Sequence, residues 1–373
     1  MKKRLSLLAI VLVLALVLAA CGGPPAPATP DAPPPADAGD TADTAETTPP
    51  DAGDDTIRVA MVLSGFLGDL SFNDSANAGL QRAVAELGIE VTILESGNPA
   101  DWETNFVAMA TAGYDLVIAV STQFQDIVET HAPNFPDINI ALIDGVAGGE
   151  NPNVVSTIFA QNEGSFLAGA AAALFTQRTE IPGVAEGNII GWVGGMDIPV
   201  LSDFFIGYEQ GARHVNPDIE ILQSFAGTFN DPLLGKELTL AQFDLGADVV
   251  MNVASGTGVG ILEAAAEAGR FAIGVDMDQD SEHPGNVLTS MLKRVDVATF
   301  LVIESVVNGT FGNEPIMYLD ISNGGVSLTD MSVMREALGD LFPEDILATI
   351  QELELAIRNG EIVVYNYPGF GRP

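Results

Sequence analysis

Leu116-Val117-Ile118-Ala119-Val120 is a run of five apolar residues, three of them β-branched, set between Asp115 and Ser121. A strand with one wet face alternates apolar and polar side chains. An uninterrupted run marks a strand covered on both faces, as in a parallel sheet flanked by helices. Working outward, similar runs predict strands at 57–63, 89–94, 138–143, 188–193, 219–225, 248–252 and 271–275. Between them the spacing predicts helices at 75–87, 102–112, 126–132, 164–175, 201–215, 233–243 and 258–268. A last amphipathic helix at 343–359 stops at Gly360. Alternating β and α units of this kind build α/β doubly wound parallel sheets, and their number predicts two Rossmann-like lobes. Ligands in such folds sit outside the carboxyl ends of the strands. The informative segments are therefore the loops at 64–73, 121–126, 144–145, 194–197, 227–231, 255–258 and 276–280, where polar residues cluster.

The chain opens with a separate signal. Lys2, Lys3 and Arg4 precede an apolar run at 5–20, and Leu18-Ala19-Ala20 places small residues ahead of Cys21, the only cysteine in 373 residues. Such a layout is a secretory signal peptide, expected at 1–20, and the cysteine at its end makes it the lipoprotein form. The run is 16 residues long, short for a membrane-spanning helix, which needs roughly 20. Stable anchoring takes more than one acyl chain, so Cys21 is expected to carry a diacylglyceryl group, with palmitate as a further chain. Residues 22–56 hold eight acidic residues, no Lys or Arg, and almost nothing apolar larger than alanine. Such a segment cannot bury enough surface to fold, so 21–56 reads as the lipidated Cys followed by a disordered acidic Pro/Ala/Thr linker. The expected location is the cell membrane, lipid-anchored, on the extracytoplasmic face.

About 317 residues remain for the folded part, ample for one large core or two linked ones. One cysteine excludes a disulfide within the chain and a thiolate metal site. His131, His214 and His283 are far apart and show no H-x-x-x-H spacing, so neither a metal nor a cofactor is expected. The net charge is −37, and loss of Lys2, Lys3 and Arg4 takes it to −40. Nucleic acid and anionic headgroups both require clustered cations, and neither is expected as a partner.

Several constellations compete with plainer readings. Ser255-Gly256-Thr257-Gly258-Val259-Gly260 follows a strand and opens a helix, but lacks both the dinucleotide spacing and the phosphate-loop ending. A tight β–α turn and a close backbone approach to a ligand both fit Gly256. Asp276-Met277-Asp278-Gln279-Asp280 resembles the start of a calcium loop, yet Ser281 and Val287 stand where Gly and Glu are required. Asp276 fits better as an acceptor for ligand hydroxyls at a strand end. Asp197, Asp203, Asp231 and Asp244 fall on separate segments with no nucleophile elbow or local histidine beside them, so no catalytic residues are assigned and no enzyme is expected.

Read in order, Gly68-Asp69-Leu70-Ser71-Phe72-Asn73, Gly113-Tyr114-Asp115-Leu116-Val117-Ile118, Ile143-Asp144-Gly145 and Glu163-Gly164-Ser165-Phe166-Leu167-Ala168-Gly169 resemble the basic membrane protein (PnrA-like) family. Gly194-Gly195-Met196-Asp197-Ile198-Pro199, Gly256-Thr257-Gly258, Gly274-Val275-Asp276 and Leu288-Thr289-Ser290-Met291-Leu292-Lys293-Arg294-Val295-Asp296 continue the likeness, which runs from about Arg58 to Val326. These are substrate-binding lipoproteins of ABC importers, many of which take purine nucleosides. The resemblance implies the type I periplasmic-binding-protein fold, two lobes joined by crossing strands with the ligand between them. Lobe 1 would comprise 57–161 and 289–325, lobe 2 162–288 and 326–373. It implies that Phe72 and Phe229 stack on the base, that Asp69 belongs to the same binding loop, and that Asn73 and Asp126 hydrogen-bond near the base. Asp276 and Lys293 would hold the ribose, with the backbone at Gly256 lining the pocket. Core packing is the plainer reading of both phenylalanines. Two departures fall in the base-recognition loop: Ser64-Gly65-Phe66 where members often carry Asp, and Leu70 where Lys is common.

The expected protein is a monomeric, membrane-anchored binding protein that passes a nucleoside to ABC permease and ATPase subunits. A lipoprotein that binds or senses a sugar or other small molecule is the alternative. A nucleoside hydrolase would need an aspartate-rich metal cluster near the first strand, and 57–64 contains none.

Overall fold

The computed structural model describes residues 56–147 and 151–372; Cys21, the expected signal peptide and the linker up to 55 lie outside them. The first lobe contains β1 (Arg58–Leu63), α1 (Phe72–Leu87), β2 (Glu90–Glu95), α2 (Trp102–Thr111), β3 (Leu116–Val120), α3 (Gln125–His131), β4 (Asn139–Ile143) and β5 (Val154–Phe159). The second contains α4 (Gln161–Phe175), β6 (Ile189–Gly194), α5 (Pro199–Val215), β7 (Glu220–Phe225), α6 (Pro232–Asp244), β8 (Val249–Val253), α7 (Gly256–Ala268), β9 (Phe271–Asp276) and β10 (Val287–Lys293). The chain returns to the first lobe for α8 (Val295–Val307) and β11 (Ile316–Leu319), then to the second for β12 (Val326–Leu328), α9 (Ser332–Leu338) and α10 (Glu344–Arg358).

The two sheets run β11-β5-β4-β3-β1-β2 and β12-β10-β9-β8-β6-β7. All pairings are parallel except β12 on β10. Burial follows from position in the sheet. Every residue of β3, β5, β8 and β9 is buried, whereas the edge strands β2 and β7 are only half covered. Parallel strands stacked between helix layers have no wet face, so they are mostly apolar, and the polar residues they do hold, such as Ser156, Thr157 and Asn252, are buried with them.

Among the described residues three crossings join the lobes: Ala160 between β5 and α4, Arg294 between β10 and α8, and the 320–325 turn between β11 and β12. β10 pairs with β9 from Val287 to Leu292. The return to lobe 1, expected at 289, therefore comes only after Lys293. Thr289 and Ser290 interrupt the apolar pattern of β10, and their hydroxyls are satisfied by Thr329 and by Asp280 (Ser290 Oγ to Oδ1, 2.6 Å). The helix layers close tightly: a Cβ added at Gly211 of α5 would stand 1.8 Å from the carbonyl oxygen of Phe166 on α4. No described helix is long and apolar enough to cross a membrane.

Candidate functional site

The carboxyl ends of both sheets face one cleft that is open at its mouth. From the first lobe it is lined by Ser64, Gly65, Phe72, Asn73, Ser121, Thr122, Gln123 and Asp144. From the second come the apolar wall of Ile198, Val200, Leu201 and Phe204, then Phe229, Asn230, Val253, Ala254, Ser255, Val275, Asp276 and Lys293. Each except Phe204, on the second turn of α5, is a strand-end residue or sits on the loop or first helical turn that follows one, as the topology dictates.

Of the residues singled out in the sequence, Phe72, Asn73, Phe229, Asp276 and Lys293 meet in this cleft. The two phenyl rings are half-buried and come from opposite lobes; Phe229 lies against Gly195, where an added Cβ would stand 2.2 Å from the ring. Asn73 is buried, its Nδ2 donates to Asp69 Oδ2 at 2.9 Å, and its Oδ1 has no partner.

The other three fall elsewhere. Asp69 does not line the cleft. Its Oδ1 accepts the backbone N–H groups of Ser71 and Asp74, and its Oδ2 accepts Asn73 N, Asn73 Nδ2 and Ser255 Oγ. Five donors leave the carboxylate no free capacity for a ligand, so Asp69 organises the 68–74 loop and ties it to the other lobe. Gly256 starts α7 behind Ser255, and a Cβ there would meet the Phe229 carbonyl oxygen at 3.1 Å. The backbone that approaches it belongs to the protein: Thr257 N donates to Phe229 O at 2.9 Å and fixes the Phe229 loop. Asp126 is exposed on the first turn of α3 and outside the lining; Gln123, three residues earlier, faces the cleft and reaches Met196 Sδ of the second lobe at 3.9 Å.

The electrostatic centre is Lys293, 1% exposed. Its Nζ lies 2.8 Å from Asp144 Oδ1, and the rings of Phe72, Phe159 and Phe204 stand 5.5, 5.1 and 5.0 Å away. Burial raises the Asp144 pKa against the pull of Lys293. Asp276 accepts Ser71 Oγ at 2.5 Å, and burial pushes its carboxyl up to about 7, opposed by Lys293 and that hydroxyl. Asp203, behind the apolar wall, is pushed up to about 6 by burial, opposed by hydrogen bonds from Tyr367 N and Gln161 Nε2. Asp278 and Asp280 are engaged locally, the first with Asp280 N and the second with Ser290 Oγ.

Strain gathers at the same place. Leu70, Ser121, Asp144, Ser255 and Asp276 all have positive φ, from 50° to 124°. Such conformations cost of order 1–3 kcal/mol each and persist where a site over-determines them. Sequence reasoning missed Asp144, Phe204, Phe159 and Gln123 as site residues. For Asp144 a signal existed: it closes an apolar strand just as Asp276 does.

Comparison with known proteins fits this geometry. Residues 56–366 match the family described as ABC transporter substrate-binding protein, PnrA-like. The ABC transporter nucleoside-binding protein BmpA of Lactococcus lactis is 34% identical over 70% of this chain and 77% of its own. An uncharacterized lipoprotein of Pyrococcus furiosus is 31% identical over 82% of this chain and 84% of its own. Among solved structures, an ABC transporter solute-binding protein of Aeropyrum pernix superposes with a TM-score of 0.77 at 31% identity, covering 84% of this chain and 94% of that one.

Proposed function

Because this chain belongs to the PnrA-like family of ABC transporter substrate-binding proteins, we propose that it captures a nucleoside, purine nucleosides foremost, and delivers it to an importer. Its type I periplasmic-binding-protein fold is that of solute-binding proteins, and members of the family are binding proteins rather than enzymes. ABC substrate-binding proteins take small molecules and work with a permease and an ATPase.

The observation that carries the nucleoside reading is the placing of Phe72 and Phe229, one from each lobe, in a cleft that also holds Asp276 and Lys293. Aromatic contacts to a base contribute about 1–3 kcal/mol each. Hydrogen bonds between ribose hydroxyls and charged groups add roughly 1.5–3 kcal/mol. Closure over the ligand would give the permease a form to recognise. The Lactococcus relative, named for nucleoside binding, supports the same ligand class. We further propose that the protein acts as a monomer, held outside the cytoplasmic membrane by lipid on Cys21.

The test is a thermal-shift screen of nucleosides, free bases, pentoses and nucleotides, followed by calorimetry on Phe72→Ala and Phe229→Ala. Nucleosides should give the largest shifts, and each variant should bind at least tenfold more weakly, about 1.4 kcal/mol. A pentose shift without a nucleoside shift would replace the reading with sugar binding.

A further inference from the structure

Lys293 and Asp144 form an ion pair between the lobes, with Nζ 2.8 Å from Oδ1 and side chains 2% and 8% exposed. We propose that Asp144 is a specificity-determining residue: as a built-in counter-ion to Lys293, it restricts the cleft to uncharged ligands. The proposal rests on the nucleoside reading and adds to it that free nucleosides are admitted while phosphorylated or carboxylated ones are refused.

Among the described residues Lys293 is the only Lys or Arg that lines the cleft, against the carboxylates of Asp144 and Asp276. The faces of Phe72, Phe159 and Phe204 favour a cation but do not neutralise it. Asp144 does so directly, and its position is set by the backbone: its N–H and that of Gly145 donate to Thr157 O at 2.9 and 3.0 Å. Its φ of 70° is one that Asp tolerates better than most residues. An anionic ligand on the remaining donors of the ammonium would set its charge beside the carboxylates of Asp144 and Asp276. To gain the ammonium for itself it would have to draw it from Asp144 and leave that carboxylate buried and unpaired. Removing one partner of a buried pair is strongly unfavourable. A neutral ligand leaves the pair intact and uses the remaining donors of the ammonium.

Calorimetry with adenosine and inosine, their 5′-monophosphates and a 5′-carboxylic acid analogue tests this on the wild type, Asp144→Asn, and Asp144→Asn with Lys293→Gln. The wild type should bind nucleosides at least a hundredfold more tightly than monophosphates. Asp144→Asn should narrow that ratio at least tenfold, because the freed ammonium meets the anion, and loss of Lys293 in the double variant should abolish the gain. A folded Asp144→Asn protein that keeps the full ratio overturns the proposal, as does a gain that survives without Lys293. Should Asp144→Asn not fold, the wild type decides alone: a 5′-carboxylate bound as tightly as its nucleoside overturns the proposal. Those outcomes leave nucleoside binding standing, whereas a wild type that binds no nucleoside removes the functional reading and this inference together.

Discussion

Asp276 ends β9 with a positive φ and a buried carboxyl, faced by Lys293, Asp69, Asp144 and the Ser71 hydroxyl. Burial holds its folded pKa at about 7, against about 3.9 for a free aspartate. Between those values the folded protein keeps a proton that the unfolded chain has lost, so the stability this group contributes is full below the unfolded value and is lost as pH rises through 7. Asp203, raised to about 6 by burial, acts in the same direction. The urea midpoint of the ligand-free protein should therefore fall from pH 5 to pH 8, and Asp276→Asn should flatten the decline. One such group contributes at most about 1.4 kcal/mol per pH unit. An equally steep curve in the variant would assign the effect to general repulsion in a chain of net charge −37. Ligand binding should run the other way: hydroxyl donors favour the ionised carboxylate, so nucleoside affinity should rise with pH through 7.

Helices α4 and α5 approach so closely that three positions admit no side chain. Added Cβ atoms would stand 2.0 Å from Tyr208 O at Gly169, 2.0 Å from Asn162 O at Gly207 and 1.8 Å from Phe166 O at Gly211. Backbone cannot give way as a flexible side chain can, so the helices would have to separate. Gly211→Ala is expected to destabilise the protein by about 1–3 kcal/mol in denaturant titration. Because α5 also carries Val200, Leu201 and Phe204 into the cleft, ligand affinity should drop in the same variant. Unchanged stability would mean that the two helices slide freely. These elements were legible in the sequence from their apolar periodicity, but β5 and β10 were not. Ser156 and Thr157 break the first, Thr289 and Ser290 the second, and all four are buried. Their polarity is met by partners that local pattern does not supply, such as Ala147 N and O at 3.0 and 3.1 Å from Ser156 Oγ.

Across the whole molecule the lobes are tied at the cleft by polar contacts. Ser71 Oγ donates to Asp276 Oδ2 at 2.5 Å, Ser255 Oγ to Asp69 Oδ2 at 2.7 Å, and Gln279 Nε2 to Leu70 O at 2.8 Å. Lys293 and Asp144 add the ion pair. The C-terminal segment adds two further contacts, Tyr367 N donating to Asp203 and Arg372 meeting Asp320 in the third crossing. Removing both hydroxyls by Ser71→Ala with Ser255→Ala should shift the ligand-free protein towards an open form. Small-angle scattering should then show a larger radius of gyration that ligand restores. Apparent affinity should weaken in proportion to the lost closed fraction. A radius unchanged from the wild type would mean that the hydroxyls do not govern closure.

The sequence by itself determined the class of fold, the order of most β–α units and the rim of strand-end loops, because strands covered on both faces need apolar runs and runs are local. It also brought Phe72, Phe229, Asp276 and Lys293 forward as site residues, through their position after strands or a family resemblance. Only the tertiary structure decided that Asp144 is the partner of Lys293, that Asp69 is saturated by five donors, and that Asp126 stands outside on α3. Those are matters of distance and free hydrogen-bonding capacity between residues remote in the chain. They exist only once two sheets have brought their carboxyl ends together.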